Sequence, residues 1–82
     1  MNEANELLNH LHQLHTTKLG VERIKRNLSL DTGNVVEWCK NKICDPHAVI
    51  KRKGKNWYVT VEGVIITINA NCFTIITAHR ET

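Results

Sequence analysis

The sequence predicts an α+β domain: three N-terminal helices packed on a four-stranded antiparallel β-meander. Three observations carry that expectation. Apolar residues recur every three to four positions through the first half of the chain. From Ala48 onward the pattern changes to short runs rich in β-branched and aromatic residues. Those runs are separated by tight turn signals at Gly54-Lys55, Glu62-Gly63 and Asn69-Ala70-Asn71.

Ala4, Leu7, Leu8, Leu11 and Leu14 form the stripe of a first amphipathic helix. Thr16 and Thr17, after His15, end that helix or N-cap the next. Val21, Ile24 and Leu28 stripe a second helix, with Arg23 and Arg26 on its solvent side. Glu22 stands four residues before Arg26, the spacing of a helical ion pair. Asp31-Thr32-Gly33 is turn chemistry, and Asn34 followed by Glu37 reads as a capping box. The third helix would turn Val35, Val36, Cys39 and Ile43 inward, with Trp38 at its edge. Asp45-Pro46 ends it, because the residue before proline avoids helical angles.

The strands are expected at residues 48–53, 56–61, 64–69 and 72–79. A two-residue turn at Glu62-Gly63 pairs Val61 with Val64, so Trp57, Val59, Val61, Val64, Ile66 and Ile68 share the core face. A two-residue turn at Gly54-Lys55 adds Ile50 to that face and sends Lys51 and Lys53 to the open face with Tyr58 and Thr60. The last strand has two registers. A two-residue loop points Phe73, Ile75, Thr77 and His79 toward the helices, and burying Phe73 and Ile75 favours it. A three-residue loop turns Thr77 and His79 to the open face, with Cys72, Ile76 and Ala78 filling the core.

The 82 residues suffice for one domain, residues 1–82, with no repeat or linker. A domain this small buries only about 60% of the surface its unfolded chain exposes, so a homodimer would supplement its stability. No apolar run approaches the length needed to span a bilayer, and the start of the chain lacks the basic and apolar regions of a secretory signal. Three cysteines are an odd count that suits a reducing compartment. The expectation is a cytoplasmic protein with no membrane partner.

Net charge is +3, and the excess is local. Lys51, Arg52, Lys53 and Lys55 fall together, as do Arg23, Lys25 and Arg26. Such density suits a phosphate-bearing partner. In "KRKGKNWY" (Lys51 to Tyr58) cations and aromatics meet at a hairpin, the mixture that holds phosphate and stacks bases. Lysines also guard edge strands against aggregation, so the run has a second explanation. His79, followed by Arg80, is a candidate general acid/base, with Tyr58 as its partner and nearby cations for the phosphorane charge. A solvated chain end accounts for the same pair.

No metal or other cofactor is expected. On a helix His10 and His12 project about 200° apart, and only His12 and His15 converge. Cys39, Cys44 and His47 have part of a zinc-knuckle spacing but no fourth ligand, and Cys39 lies on an apolar stripe. Cys72, in a strand, is expected to pack. There is no Gly-rich nucleotide loop, serine-hydrolase elbow or HExxH.

The segments "LHTTKLGVERIKRNLSL", "VVEWCKNKI", "RKGKNWYVTVEGVIITINA" and "TIITAHR" resemble an uncharacterised bacterial family known as a domain of unknown function. That resemblance transfers no catalytic residue. The order of elements is also similar, at the level of fold, to ribonuclease domains of the barnase, colicin and RelE type. What this implies is an RNA-binding domain, extended to a metal-independent toxin-type endoribonuclease. In it Lys51 and Lys53 hold phosphate, Tyr58 stacks or moves a proton, His79 is the acid/base, and Arg23 and Arg26 widen the footprint. The alternative is a non-enzymatic protein-binding module, such as a phage or mobile-element inhibitor of a host defence nuclease, working through the sheet face or the free edge of the last strand.

Overall fold

The computed structural model describes residues 3–81, with side chains from Glu6 onward. Helix α1 spans Glu3–Leu8, a 3-10 turn spans Leu11–Gln13, α2 spans Lys18–Leu28 and α3 spans Val35–Ile43. Strands β1 (Val49–Lys53), β2 (Asn56–Val61), β3 (Val64–Asn69) and β4 (Ile75–Arg80) pair antiparallel in chain order. The α+β class and the meander are as the sequence predicts.

The first helix is shorter than its leucine stripe. In an α-helix the Glu6 carbonyl would take the His10 amide. Here the His10 ring occupies that carbonyl at 2.7 Å, and the His10 amide turns to the Leu7 carbonyl at 3.0 Å. The side chain thus displaces the backbone bond and the helix ends. Leu7 and Leu14 are buried, Leu11 is half-buried and Leu8 is exposed. The Ala4 position of the stripe lies outside the described side chains.

Thr17 N-caps α2, accepting from the Gly20 amide at 3.0 Å. Gly20, Ile24 and Leu28 are its buried residues. Asn34 caps α3, accepting from the Glu37 amide at 3.0 Å. Only half of the capping box forms, because the Asn34 amide donates to the Thr32 hydroxyl at 3.1 Å instead of to the Glu37 carboxylate. Among the described residues Glu22 and Arg26 form no ion pair.

Trp57, Val59, Val61, Val64, Ile66 and Ile68 are all buried on one face, in the register Val61↔Val64. Glu62 (φ 49°) and Gly63 (φ 75°) are both left-handed, which matches the twist of the hairpin they join. The last strand starts at Ile75, not Cys72. Its pairs run Val64↔Arg80, Ile65↔His79, Ile66↔Ala78 and Thr67↔Thr77, then slip to Ile68↔Ile75. Ile76 is the extra residue of a bulge. The two registers are therefore combined. Phe73 and Ile75 are buried as the first requires, while Thr77 and His79 pair with open-face residues as the second requires.

Helix α1 packs against β1, α3 against β2 and α2 against β4. The outer edge of β4 is not free. The His15 amide donates to the Phe73 carbonyl at 3.3 Å, and the Ile75 amide donates to the His15 carbonyl at 2.7 Å. The Thr16 hydroxyl donates to the Ile75 carbonyl at 2.8 Å, and Asn27 donates to the Ala78 carbonyl at 3.3 Å. Among the described residues the outer edge of β1 has no such cover.

Candidate nucleic-acid interface

Strand alternation sends three rows of side chains to the face away from the helices. Lys53, Asn56 and Asn69 form one row, Lys51, Tyr58, Thr67 and Thr77 the next, and Val49, Thr60, Ile65 and His79 the third. At the β1 end an open concavity of about 550 Å³ is lined by Lys51, Arg52, Lys53 and Tyr58. Lys51 and Lys53 are exposed and join no ion pair among the described residues. Tyr58 is half-buried, and its hydroxyl accepts from Asn56 at 3.4 Å, which steadies the ring.

The other candidate cations are placed differently. Arg52 points to the core face, where its guanidinium lies 5.3 Å from the Trp57 ring centre and its Nε donates to the Gly54 carbonyl at 3.1 Å. Lys55 is exposed in the adjoining turn. Arg23 and Arg26 are exposed on α2. That helix packs on β4, three strand spacings or about 14 Å from β1. The structure gathers Lys51, Lys53 and Lys55 but leaves the helix arginines apart from them.

His79 is exposed, and its Nδ1 donates to the Arg80 carbonyl at 3.0 Å. Tyr58 lies two strand spacings away, about 10 Å, and one row along. The two share a face without converging on one point.

The break after α1 brings the His10 and His12 rings to 6.3 Å, which a continuous helix would forbid. His15 turns instead to Thr74, at 2.9 Å. Cys39 is fully buried, and burial pushes its thiol up to about 12. Cys44 and His47 are exposed. Asp45 binds the His47 amide at 2.7 Å, which holds its carboxyl below the usual range. Among the described residues no three of these ligand types converge.

Cys72 does not pack in a strand. It is exposed in the β3–β4 loop, with Sγ 3.0 Å from the Thr74 hydroxyl. That hydroxyl meets His15, whose Nδ1 donates to the Gln13 carbonyl at 2.9 Å. Sequence reasoning missed this chain, because its two halves stand 59 residues apart and are joined only by the β4 edge.

Residues 8–79 match the family model described as "Protein of unknown function (DUF3781)". The chain belongs to the DUF3781 family. The DUF3781 match takes in α2, α3, the first three strands and β4 as far as His79. No curated protein and no solved structure matches the chain, so the ribonuclease likeness finds no named homologue there. Among the described residues no helix is long and apolar enough to cross a membrane.

Proposed function

We propose that this protein binds single-stranded RNA on the open face of its sheet. The observation that supports this most directly is the cross-strand pair Lys51↔Tyr58, a cation beside an aromatic ring at the mouth of the concavity. Lys51 and Lys53 neutralise phosphates, and the Tyr58 ring stacks on a splayed base. Asn56 and Thr77 supply hydrogen bonds for base edges and the 2′-hydroxyl. A cytoplasmic setting fits this role and three free cysteines. The separation of Tyr58 from His79 favours binding over cleavage, since an acid/base pair must reach the same phosphate.

Fluorescence anisotropy with a labelled single-stranded RNA across a salt series tests the reading. Affinity should fall steeply with salt and weaken in Lys51→Ala, Lys53→Ala and Tyr58→Ala. Affinity indifferent to salt and to all three substitutions would overturn it. The same RNA run on a gel with EDTA present, wild type beside His79→Ala, should come back intact from both proteins. Cutting by wild type alone would make the domain an endoribonuclease.

A second reading, the protein-binding module, is favoured by the uncovered edge of β1. An extended segment of a partner such as a defence nuclease would add there as a fifth strand. A stable complex lost on β1-edge substitution, with no RNA affinity, would select it.

A further inference from the structure

The loop between β3 and β4 holds side chains that RNA binding does not use. Asn69 accepts from the amides of Asn71 at 2.8 Å and Cys72 at 3.2 Å, and Phe73 is left-handed at φ 58°. The phenyl ring is thereby buried while Cys72 faces solvent. Across the β4 edge, the bridge from His15 to Thr74 brings the imidazole to the same loop.

The hydrogen-bond polarities are determined by chemistry. The Gln13 carbonyl can only accept, so His15 Nδ1 carries a proton. In neutral His15, Nε2 is then an acceptor, and the Thr74 hydroxyl donates to it. The Thr74 oxygen in turn accepts the Cys72 S–H. Shift both protons along the chain and every hydrogen bond survives. Imidazolium Nε2–H donates to Thr74, and Thr74 donates to the thiolate. No heavy atom moves between the two states. A nucleophile, a relay and a base oriented by a carbonyl are thus joined in one line.

We propose that Cys72 is a reactive thiol, deprotonated through Thr74 to His15, that forms a reversible mixed disulfide with a low-molecular-weight disulfide. The thiolate attacks one sulfur of RS–SR. A bond forms between Cys72 Sγ and that sulfur, the original S–S bond breaks, and the leaving RS⁻ takes up the proton that His15 held. Cys72 is oxidised, and the released half of the disulfide is reduced to the thiol RSH. The hydroxyl and amide of Thr74, donating to the sulfur, also lower the Cys72 pKa. Among the described residues no carboxylate bonds to the chain, so no neighbouring negative charge repels the thiolate there.

The other two cysteines supply internal controls, since Cys44 is exposed without such partners and Cys39 is buried. The full chain is treated with oxidised glutathione and, separately, iodoacetamide, and each cysteine is followed by peptide mass spectrometry across pH. Cys72 should react about threefold to tenfold faster than Cys44 at neutral pH, with a lower titration midpoint. Thr74→Val should bring Cys72 to the Cys44 rate, and Thr74→Ser should restore it. Continued silence of Cys39 certifies that a variant is folded. If Thr74→Val exposes Cys39, the wild-type ratio of Cys72 to Cys44 and their midpoints decide alone. Equal rates and midpoints in wild type would overturn the proposal. So would a folded Thr74→Val that reacts as wild type does.

Discussion

Phe73 stacks on Trp57, ring centres 5.2 Å apart and planes 28° apart, while its own backbone is left-handed at φ 58°. Trp57 buries its Nε1 without a hydrogen-bond partner among the described residues, so its rings are held by packing against Phe73 and Arg52. A bulky residue in that backbone region stores about 1–3 kcal/mol of strain, which the buried ring must offset. Phe73→Ala should therefore cost about 3–5 kcal/mol, the usual penalty for an emptied phenyl site. Phe73→Gly leaves the same cavity but relieves the strain, and should be about 1 kcal/mol more stable than Phe73→Ala. Urea midpoints give both. Alanine outranking glycine would contradict the left-handed loop.

Gly20 is buried near the start of α2, against Thr16 and Thr17. A methyl at this position would overlap the Thr16 hydroxyl, which donates to the Ile75 carbonyl at 2.8 Å. Alanine ordinarily gains about 1 kcal/mol over glycine inside a helix. Here overpacking should reverse the sign, and Gly20→Ala should be destabilised by about 1–3 kcal/mol. In a Thr16→Ala background the overlap is gone. The double variant should then be less damaged than the sum of the singles, a coupling read from a double-mutant cycle in urea.

Both sites rest on tertiary contacts, whereas the parts of the fold legible in the sequence are local. Val61↔Val64 and the inward set from Trp57 to Ile68 follow from alternation and a two-residue turn, both local properties. The helix caps at Thr17 and Asn34 are local as well. The bulge at Ile76 was not legible, because two registers each satisfied part of the apolar pattern and the slip satisfies more of it. Nor was the end of α1, which depends on a His10 ring competing for one carbonyl.

The candidate site divides the same way. Lys51, Lys53 and Tyr58 share a face because a hairpin places them there, and the sequence contains the hairpin. The covering of the β4 edge by His15, Thr16 and Asn27 is tertiary, and no local signal announces it. The Cys72–Thr74–His15 chain rests on that same docking.

Cys39 gives a pH prediction. Burial raises its thiol from 9.0 to about 12, so the folded state favours the neutral form. Below the unfolded value that preference is fully present. As pH rises from about 9 toward 12 the unfolded chain loses this proton and the folded chain keeps it, so stability falls by about 1.4 kcal/mol per pH unit from this group. Cys39→Ala removes the titration. Its stability should be lower than wild type at pH 7 but should decline less steeply between pH 9 and 11. Parallel declines in urea titrations at those pH values would show that Cys39 is not the group responsible.

The basic residues should separate by position rather than by charge. Lys51 and Lys53 flank the concavity, whereas Arg23 and Arg26 stand on a helix that packs on the opposite edge strand. Removing one cation that neutralises a phosphate of a single strand lowers the slope of log affinity against log salt by about 0.7. Lys51→Ala and Lys53→Ala should each reduce that slope by about this amount, and together weaken binding more than either alone. Arg23→Ala with Arg26→Ala removes the same charge and should leave the slope nearly unchanged. Tyr58→Ala should cost about 1–3 kcal/mol of affinity, the range for removing a base stack, with the slope intact. Equal effects of the helix and strand cations would mean that net charge, not the open face, attracts the RNA.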